Sequence, residues 1–263
     1  MKKLYIPIIL IAVSVITHSC KKDTEFDIKT PDTSVDLNIF NSEINYGTVS
    51  DIDGNTYKTV EIEGFTWMAE NLRVTKFNDG TPIERISNPD SWSATNNPAW
   101  DIALGEEGMS SLYGYHYNGY VVRNSKNVCP TGWVVPTFFD MWIFSDLLID
   151  NGYNYDGSTT GNKIAKSLAS QSILWEGFGF GSFPSYSIAQ NISANNKTGF
   201  SALPSGLRQS VGQFASGYFA MWTSSASTNQ NLNNAIGLEV DEEGFIPWDS
   251  NLNWGLSIRC LKE

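Results

Sequence analysis

Residues 128–152 read Val-Cys-Pro-Thr-Gly-Trp-Val-Val-Pro-Thr-Phe-Phe-Asp-Met-Trp-Ile-Phe-Ser-Asp-Leu-Leu-Ile-Asp-Asn-Gly, and they contain the clearest helix signal in the chain. Thr137 is a typical N-cap residue, Asp140 lies near the positive end of the helix dipole, and Gly152 is a typical stop signal. The apolar residues that fall near one face are Phe138, Met141, Trp142, Leu148 and Ile149. The stretch therefore predicts a helix over residues 137–151.

Strand-like segments lie on both sides of this helix. Before it, alternating β-rich segments at 48–50, 57–62 and 65–68 are connected through tight turns, of which Asp53-Gly54-Asn55 is a hairpin signal. After it come a weaker helix from 162 to about 170 and four short predicted strands, at 200–203, 220–225, 235–240 and 256–260. Residues 78–112 and 176–198 show little periodicity and are predicted to be long irregular loops. This order predicts an α+β fold with a twisted antiparallel sheet.

The first twenty residues are typical of an export signal that ends at a cysteine. Lys2 and Lys3 precede residues 4–16, an uncharged run of thirteen residues that is too short to span a bilayer as a helix. Small residues then lead to Cys20, in a pattern that resembles a bacterial lipoprotein cleavage site and implies a diacylglycerol on Cys20. We expect a signal peptide at 1–19, a lipidated flexible tether at 20–47 and a folded domain at 48–263, anchored at the outer membrane and facing the exterior. A plain signal peptide with an incidental cysteine is the alternative.

The chain is acidic, with 17 Lys and Arg against 28 Asp and Glu and a net charge of −11. Loss of residues 1–19 removes two lysines, so 15 basic against 28 acidic residues leave −13. Such a chain is expected to repel nucleic acid and anionic lipid, and to meet the membrane through its lipid anchor. Cys129 and Cys260 remain as an even pair in an oxidising compartment, either as a disulfide that closes a loop of about 130 residues or as two buried thiols.

Seven blocks of the sequence resemble one known domain family. Among them are Trp-Met-Ala-Glu-Asn-Leu-Arg at 67–73, Leu-Tyr-Gly-Tyr-His-Tyr at 112–117, the opening of the stretch quoted above at 128–137, and Ser-Ile-Arg-Cys at 257–260. The others are 51–60, 198–208 and 222–225, and all seven occur in the family's order across residues 48–262. The chain resembles the Fibrobacter succinogenes major paralogous domain family, whose members are mostly exported lipoproteins of gut and rumen bacteria.

That family resembles the C-type-lectin-like fold, which also houses the formylglycine-generating enzymes. The resemblance implies a twisted sheet whose first and last strands pair, two flanking helices and long irregular loops. It places Cys129 just before an early strand at 133–135 and Cys260 in the closing strand, so it favours a disulfide between them. It also favours a role at the cell surface near polysaccharides.

Reactive groups are scarce in this sequence. After export, His116 is the one histidine left, and its alternating aromatic context is typical of a buried, hydrogen-bonded side chain, so neither a His-dependent catalytic site nor a usual zinc site is expected. Residues 51–55 resemble the start of a calcium loop, but Thr56 and Ile62 stand where such a loop needs Gly and Glu, so a hairpin turn is the better interpretation. The cysteines of the formylglycine-generating site have no counterpart. We expect no catalysis, no cofactor and no metal.

Aromatic and amide side chains in loops are the remaining signal. Sugar rings stack on tryptophan, and their hydroxyls pair with Asn, Gln and Asp. The candidate ligand-binding residues are Trp92, Trp100, Trp175, Trp248, Asp249, Asn251, Asn253 and Trp254, with residues 248–254 as the best cluster. The tryptophans assigned to the core are Trp67, Trp133, Trp142 and Trp222. We expect a non-catalytic surface lipoprotein that binds a polysaccharide or oligosaccharide without calcium; the alternative is an adhesion or envelope-assembly protein that recognises a protein partner.

Overall fold

A computed structural model describes residues 37–178 and 183–263 of the chain. The predicted signal peptide, the predicted lipidation site Cys20 and most of the predicted tether lie outside the described residues. Within the described ranges, no helix is both long enough and apolar enough to cross a membrane.

Fourteen strands and five α-helices make up the described part of the chain. The first seven strands are β1 (Gly47–Ser50), β2 (Thr56–Ile62), β3 (Phe65–Met68), β4 (Glu84–Arg85), β5 (Ala99–Ile102), β6 (Tyr115–Asn118) and β7 (Trp133–Val134). The remaining strands are β8 (Leu207–Arg208), β9 (Phe214–Ala215), β10 (Tyr218–Ala226), β11 (Leu232–Glu239), β12 (Ile246–Asn251), β13 (Gly255–Leu256) and β14 (Leu261–Lys262). The helices are α1 (Pro89–Ala94), α2 (Ser110–Tyr113), α3 (Gly119–Val122), α4 (Phe138–Asp150) and α5 (Ala165–Leu168).

These strands form three sheets. Their strand orders are β1-β2-β3-β14-β7, β4-β5-β6-β13-β8-β9 and β10-β11-β12. Among the described strands, the β4–β5 pair is parallel and the other pairs are antiparallel. The α+β class predicted from the order of elements is therefore confirmed.

The three-stranded sheet separates two hydrophobic cores. Successive side chains of a strand point to opposite faces, so Ala220 and Trp222 of β10 enter one core, while Phe219 and Met221 enter the other. The first core also holds Cys129 and Cys260, and we call its side of the sheet the disulfide face. The second core is covered by α4 and α5, and we call its side the helix face.

Helix α4 confirms the prediction made from its capping signals. Thr137 Oγ1 accepts a hydrogen bond from the Asp140 backbone N–H at 3.0 Å, and Asp140 Oδ2 accepts one from the Thr137 N–H at 2.8 Å. This reciprocal capping box fixes the first turn. Met141, Phe144 and Leu148 face the core, as their helical spacing requires. The assignment of Trp142 to the core is wrong, because 61% of this residue is exposed.

A disulfide joins Cys129 to Cys260 across 131 residues, with 5.9 Å between their Cα atoms. The prediction of this pairing is confirmed. Cys260 stands immediately before β14, which pairs with β3 on one side and β7 on the other. The expectation that the first and last strands pair is corrected: β1 pairs with β2, and the last strand occupies an interior position in the same sheet.

The segment 37–46 packs against the body, although the sequence places it in a flexible tether. Phe40, Ile44 and Tyr46 pack partly buried on the core of the helix face. Two side-chain hydrogen bonds hold the segment: Asn41 Nδ2 donates to the Asn196 backbone carbonyl, and Asn196 Nδ2 donates to the Ile39 backbone carbonyl. The folded body therefore includes residues before 48.

Three further segments differ from what the sequence predicts. Residues 78–112 are not an irregular loop, because β4, α1, β5 and α2 begin there and bring buried side chains to the core. Strand β12 escaped prediction, since Pro247 interrupts its pattern; proline is tolerated at this position because β12 is an edge strand of its sheet. Residues 200–203 form a single bridge, between Ala202 and Ala169, and not a strand.

Candidate functional site

Three of the predicted ligand-binding tryptophans are buried. Trp92 and Trp175 have no exposed surface and Trp100 has 8%, so their rings are not available for stacking on a ligand. Each indole N–H donates to a backbone carbonyl: that of Trp92 to Asn253 at 2.7 Å, that of Trp100 to Ile83 at 3.0 Å, and that of Trp175 to Ala202 at 3.1 Å. These three residues are core anchors, and their prediction as ligand contacts is corrected.

The polar residues predicted beside Trp248 and Trp254 are committed to internal hydrogen bonds. Asp249 accepts from Asn234 at 2.6 Å and from Ser227 at 2.7 Å. Asn253 donates its side-chain N–H groups to two backbone carbonyls at the end of α1, and the side-chain Oδ1 of Asn251 accepts the Asn253 backbone N–H. Because neighbouring side chains of β12 alternate, Asp249 also points away from the face that carries Trp248.

Trp248 and Trp254 themselves come together at the edge of the disulfide face. They line one cavity of about 270 Å³, which we call the aromatic cavity, and both are partly exposed. The other residues that line it are Leu207, Gln209, Ala215, Tyr218 and Glu239. The cavity thus lies between the three-stranded sheet and the β8–β9 hairpin, with Trp254 beside them.

Strand register explains how this wall is built. Tyr218 and Glu239 are directly opposed in the β10–β11 pair, so their side chains lie on the same face. Trp248 lies flat across Gly237, where a Cβ atom would stand 2.6 Å from the Trp248 ring and 2.3 Å from the Phe219 carbonyl oxygen. Only glycine leaves room for the indole at this point. The Trp248 N–H donates to Ser250 Oγ at 2.6 Å, which fixes the ring.

Four polar groups of the aromatic cavity have no hydrogen-bond partner in the described part of the chain. They are the Gln209 side-chain amide, the Tyr218 hydroxyl, the Glu239 carboxylate and the Trp254 indole N–H, and none of them is sealed from solvent. Burial raises the pKa of Glu239, and the nearby carboxylates of Asp241 and Glu242 raise it further. These groups are therefore available to a ligand, unlike Asp249 and Asn253.

Comparison with known proteins gives a match to one family. The model of the Fibrobacter succinogenes major domain matches residues 60–262, which is most of the chain. The chain belongs to the Fibrobacter succinogenes major domain family. No curated protein and no solved structure gives a match.

In this Fibrobacter succinogenes major domain, the histidine is a core residue. His116 has no exposed surface, its Nε2 lies 3.0 Å from the Ser205 carbonyl oxygen, and its ring packs near Phe214. Burial is the main cause, and the charge of Arg208 a smaller one, of a pKa of His116 lowered to about 4, although the hydrogen bond to Ser205 acts in the opposite direction. The imidazole is neutral at pH 7 and lies away from the aromatic cavity lining.

The calcium-like segment of the domain is a hairpin turn. Asp51 accepts hydrogen bonds from the backbone N–H groups of Asp53 and Asn55 and from the Tyr57 hydroxyl. Asp53 pairs with Lys76 at 2.9 Å. Within the described ranges no group of three or more His, Cys, Asp or Glu side chains is arranged to hold a metal ion.

A second concave surface lies on the opposite side of the same sheet. It has a volume of about 290 Å³, and we call it the helix groove. It is lined by Phe138, Met141, Trp142, Ser145, Asp146, Ile149, Asn162, Ile236, Phe245 and Pro247. Phe139 and Trp142 of α4 stand at 66% and 61% exposure, so an apolar helix surface continues beyond the groove.

Sequence reasoning found Trp248 and Trp254 but missed Gln209, Tyr218 and Glu239. Glu239 falls inside the strand predicted at 235–240, and its alternation with Gly237 and Ala235 was a usable signal. Which residue of β10 opposes it depends on strand register, which no local pattern records.

Proposed function

We propose that this domain is a non-catalytic glycan-binding protein that acts without calcium. The observation that carries the proposal is the aromatic cavity, where Trp248, Trp254 and Tyr218 lie beside polar groups that have no hydrogen-bond partner among the described residues. Apolar rings offer stacking surfaces to the C–H faces of a sugar. The amide of Gln209 and the carboxylate of Glu239 supply the donor and acceptors that sugar hydroxyls need.

The size and position of the cavity fit recognition of one or two sugar units within a longer chain. About 270 Å³ is close to the lower end of ordinary ligand sites. The cavity opens at the edge of the sheet and is not an enclosed chamber, so a polymer can enter with its ends in solvent. A tunnel or buried pocket would restrict binding to chain ends or to monosaccharides.

The test is isothermal titration calorimetry of the full chain against a panel of plant and host polysaccharides. Trp254→Ala removes one stacking ring, and we expect affinity to fall by about tenfold or more. Trp142→Ala is the matched control, because it removes an exposed tryptophan from the other side of the sheet. Failure of every polysaccharide to bind, or equal losses in both variants, would contradict the proposal.

We also infer that the protein reaches the cell surface as a lipoprotein of the outer membrane, anchored through Cys20. The supporting features are the basic start, the short apolar run and the cysteine that follows small residues. Mass spectrometry of the mature protein is expected to find acyl chains on an N-terminal Cys20. Detection of an unmodified chain that begins elsewhere would sink this assignment.

The helix groove supports a second candidate function, recognition of a protein partner in adhesion or envelope assembly. Exposed Phe139, Trp142 and Ile143 give α4 an outward apolar surface, and such surfaces are typical of interaction sites. Asp146 lines the groove, and the acidic residues 241–243 are followed, after Gly244, by Phe245 of its wall. The partner that fits is a segment with apolar and basic side chains.

Pull-down from cell envelopes tests this second candidate. We expect one stoichiometric partner to be retained by the wild-type chain and by Trp254→Ala, and lost in Trp142→Ser. Competing glycans should not displace it. A partner that polysaccharide displaces, or that survives the Trp142 change, would argue against the helix groove.

A further inference from the structure

Among the described residues that line the aromatic cavity, Glu239 is the one that carries a charge. Its carboxylate has no hydrogen bond or ion pair within the described residues, although burial leaves it only partly exposed. A partly desolvated carboxylate without a partner is costly, and a positively charged ligand would relieve that cost.

Arg208 is the basic residue next to the cavity residue Gln209 in sequence, but its side chain does not enter the cavity. Gln209 lines the cavity, but Arg208, one residue before it, turns to the opposite side of β8 and donates to Asp101 at 2.8 Å. Arg208 is fully buried there and also lies over the Trp92 ring, 4.2 Å from its centroid. The guanidinium is therefore not available to neutralise Glu239 or to hold an anionic ligand in the cavity.

The surroundings of Glu239 add negative charge. Asp241 and Glu242, in the turn that follows β11, interact with Glu239 in the direction that disfavours its ionised form. An anionic sugar, such as a uronate or a sulfated residue, would enter against three carboxylates. A neutral sugar meets no such repulsion, and a cationic one is attracted.

The remaining walls suit a cation as well as a sugar ring. Trp248, Trp254 and Tyr218 line the same cavity as Glu239, and the electron-rich face of an aromatic ring attracts an ammonium group. The same rings stack on the C–H face of a pyranose. An amino sugar offers both features within one residue.

We propose that the aromatic cavity selects glycans that carry a protonated amino group, with the ammonium against the Glu239 carboxylate and the sugar ring against Trp248 and Trp254. This inference rests on the proposed glycan-binding function and names the substrate class of the same site. Gln209 and the Tyr218 hydroxyl then hold the neighbouring hydroxyl groups.

The test measures the binding of three ligands by calorimetry, with the full chain at near-physiological salt. They are glucosamine oligomers whose amino groups are free, fully N-acetylated oligomers of the same length, and uronate oligomers. We expect the free-amine oligomer to bind about tenfold more tightly than its acetylated counterpart, and the uronate oligomer to be the weakest. Glu239→Gln should reduce the affinity for the free amine to that of the acetylated oligomer. Glu61→Gln, at an exposed site on β2, removes the same charge elsewhere and should leave the preference intact.

Each outcome separates the two proposals. If acetylated oligomers bind with the same affinity as free-amine oligomers, and both depend on Trp254, the amino-sugar inference is overturned while glycan binding stands. If the preference persists in Glu239→Gln, it does not depend on this carboxylate, and if it disappears in Glu61→Gln, it arises from net charge; either result overturns the inference. If tetramethylammonium alone binds as tightly as the oligomer, the sugar assignment fails. If no oligomer or polysaccharide binds, both proposals fail.

Discussion

The two faces of the three-stranded sheet share their strands and differ in what covers them. On the disulfide face, the β8–β9 hairpin and Trp254 leave an aromatic cavity with unpartnered polar groups. On the helix face, α4 packs its apolar side down and leaves a groove lined mainly by hydrophobic residues. One strand can therefore serve two different recognition surfaces, because alternate side chains of β11 and β12 belong to opposite sides.

The element that covers each face decides which side chains that face leaves at its surface. Beside the β8–β9 hairpin, the polar side chains of Gln209 and Glu239 line the cavity together with Trp248 and Tyr218. The helix contributes a continuous apolar surface, and its exposed Phe139 and Trp142 extend that surface outward. Glycan recognition is proposed for the first face and protein recognition for the second for this reason.

Loss of the disulfide should have the largest effect on stability, and it acts on the disulfide face alone of the two faces. The bridge lies in the core of the disulfide face and closes a loop of 131 residues. Chain entropy assigns such a loop about 4–5 kcal/mol of the free energy of unfolding. The Cys129→Ala/Cys260→Ala variant should lose stability by this amount in urea denaturation, and wild-type protein unfolded under reducing conditions should show the same loss. A difference under about 1 kcal/mol would mean that this core does not depend on the bridge.

Acid should weaken the folded domain through His116. Because burial lowers its pKa to about 4 from an ordinary 6.5, the unfolded chain takes up the proton first as the pH falls. The contribution of neutral His116 to the free energy of unfolding is fully present above pH 6.5. About 3 kcal/mol of it is lost as the pH falls from 6.5 to 4.

Urea denaturation of the wild type and of His116→Gln at pH 7 and pH 4.5 isolates this contribution from that of the carboxylates. Because the substitution also alters the hydrogen bond to the Ser205 carbonyl, the measured quantity is the change in stability between the two pH values. We expect that change to be smaller in His116→Gln. Equal changes in both proteins would show that His116 is already protonated in the folded state or accessible to solvent.

The helix face should respond to a smaller change at the start of α4. Thr137→Ala removes the hydroxyl that accepts the Asp140 N–H, and we expect a loss of about 1 kcal/mol in the free energy of unfolding. Thr137→Ser keeps the hydroxyl and serves as the control. Glycan affinity should remain unchanged in both variants, since α4 lies on the other side of the sheet; a loss of affinity would show that the two faces are coupled.

Local signals predicted the parts of the fold that local interactions form. The α4 boundaries follow from Thr137, Asp140 and Gly152, and the β1–β2 hairpin follows from the turn at Gly54. The burial of Trp92 could not be predicted this way, because its hydrogen-bond partner, the Asn253 carbonyl, lies 161 residues away.

The same limit applies to the candidate site. Trp248 and Trp254 stand close in sequence, so composition alone indicated a cluster. Tyr218 and Glu239 join it through the register of β10 and β11, and Gln209 joins it through a different sheet. Asp249 was predicted for its proximity in sequence, yet strand alternation places it on the far side.

The position of β14 has a consequence for the order in which the molecule assembles. This strand lies between β3 and β7, although some 190 residues separate Met68 from Leu261 along the chain. The interior of that sheet stays open, with β3 and β7 unjoined, until residues 261–262 are available. During synthesis from the N-terminus, the edges of β3 and β7 stay unpaired until β14 has been made, and unpaired edges can pair with other chains. Insertion of β14 is a long-range step, and such steps are slow and exposed to aggregation.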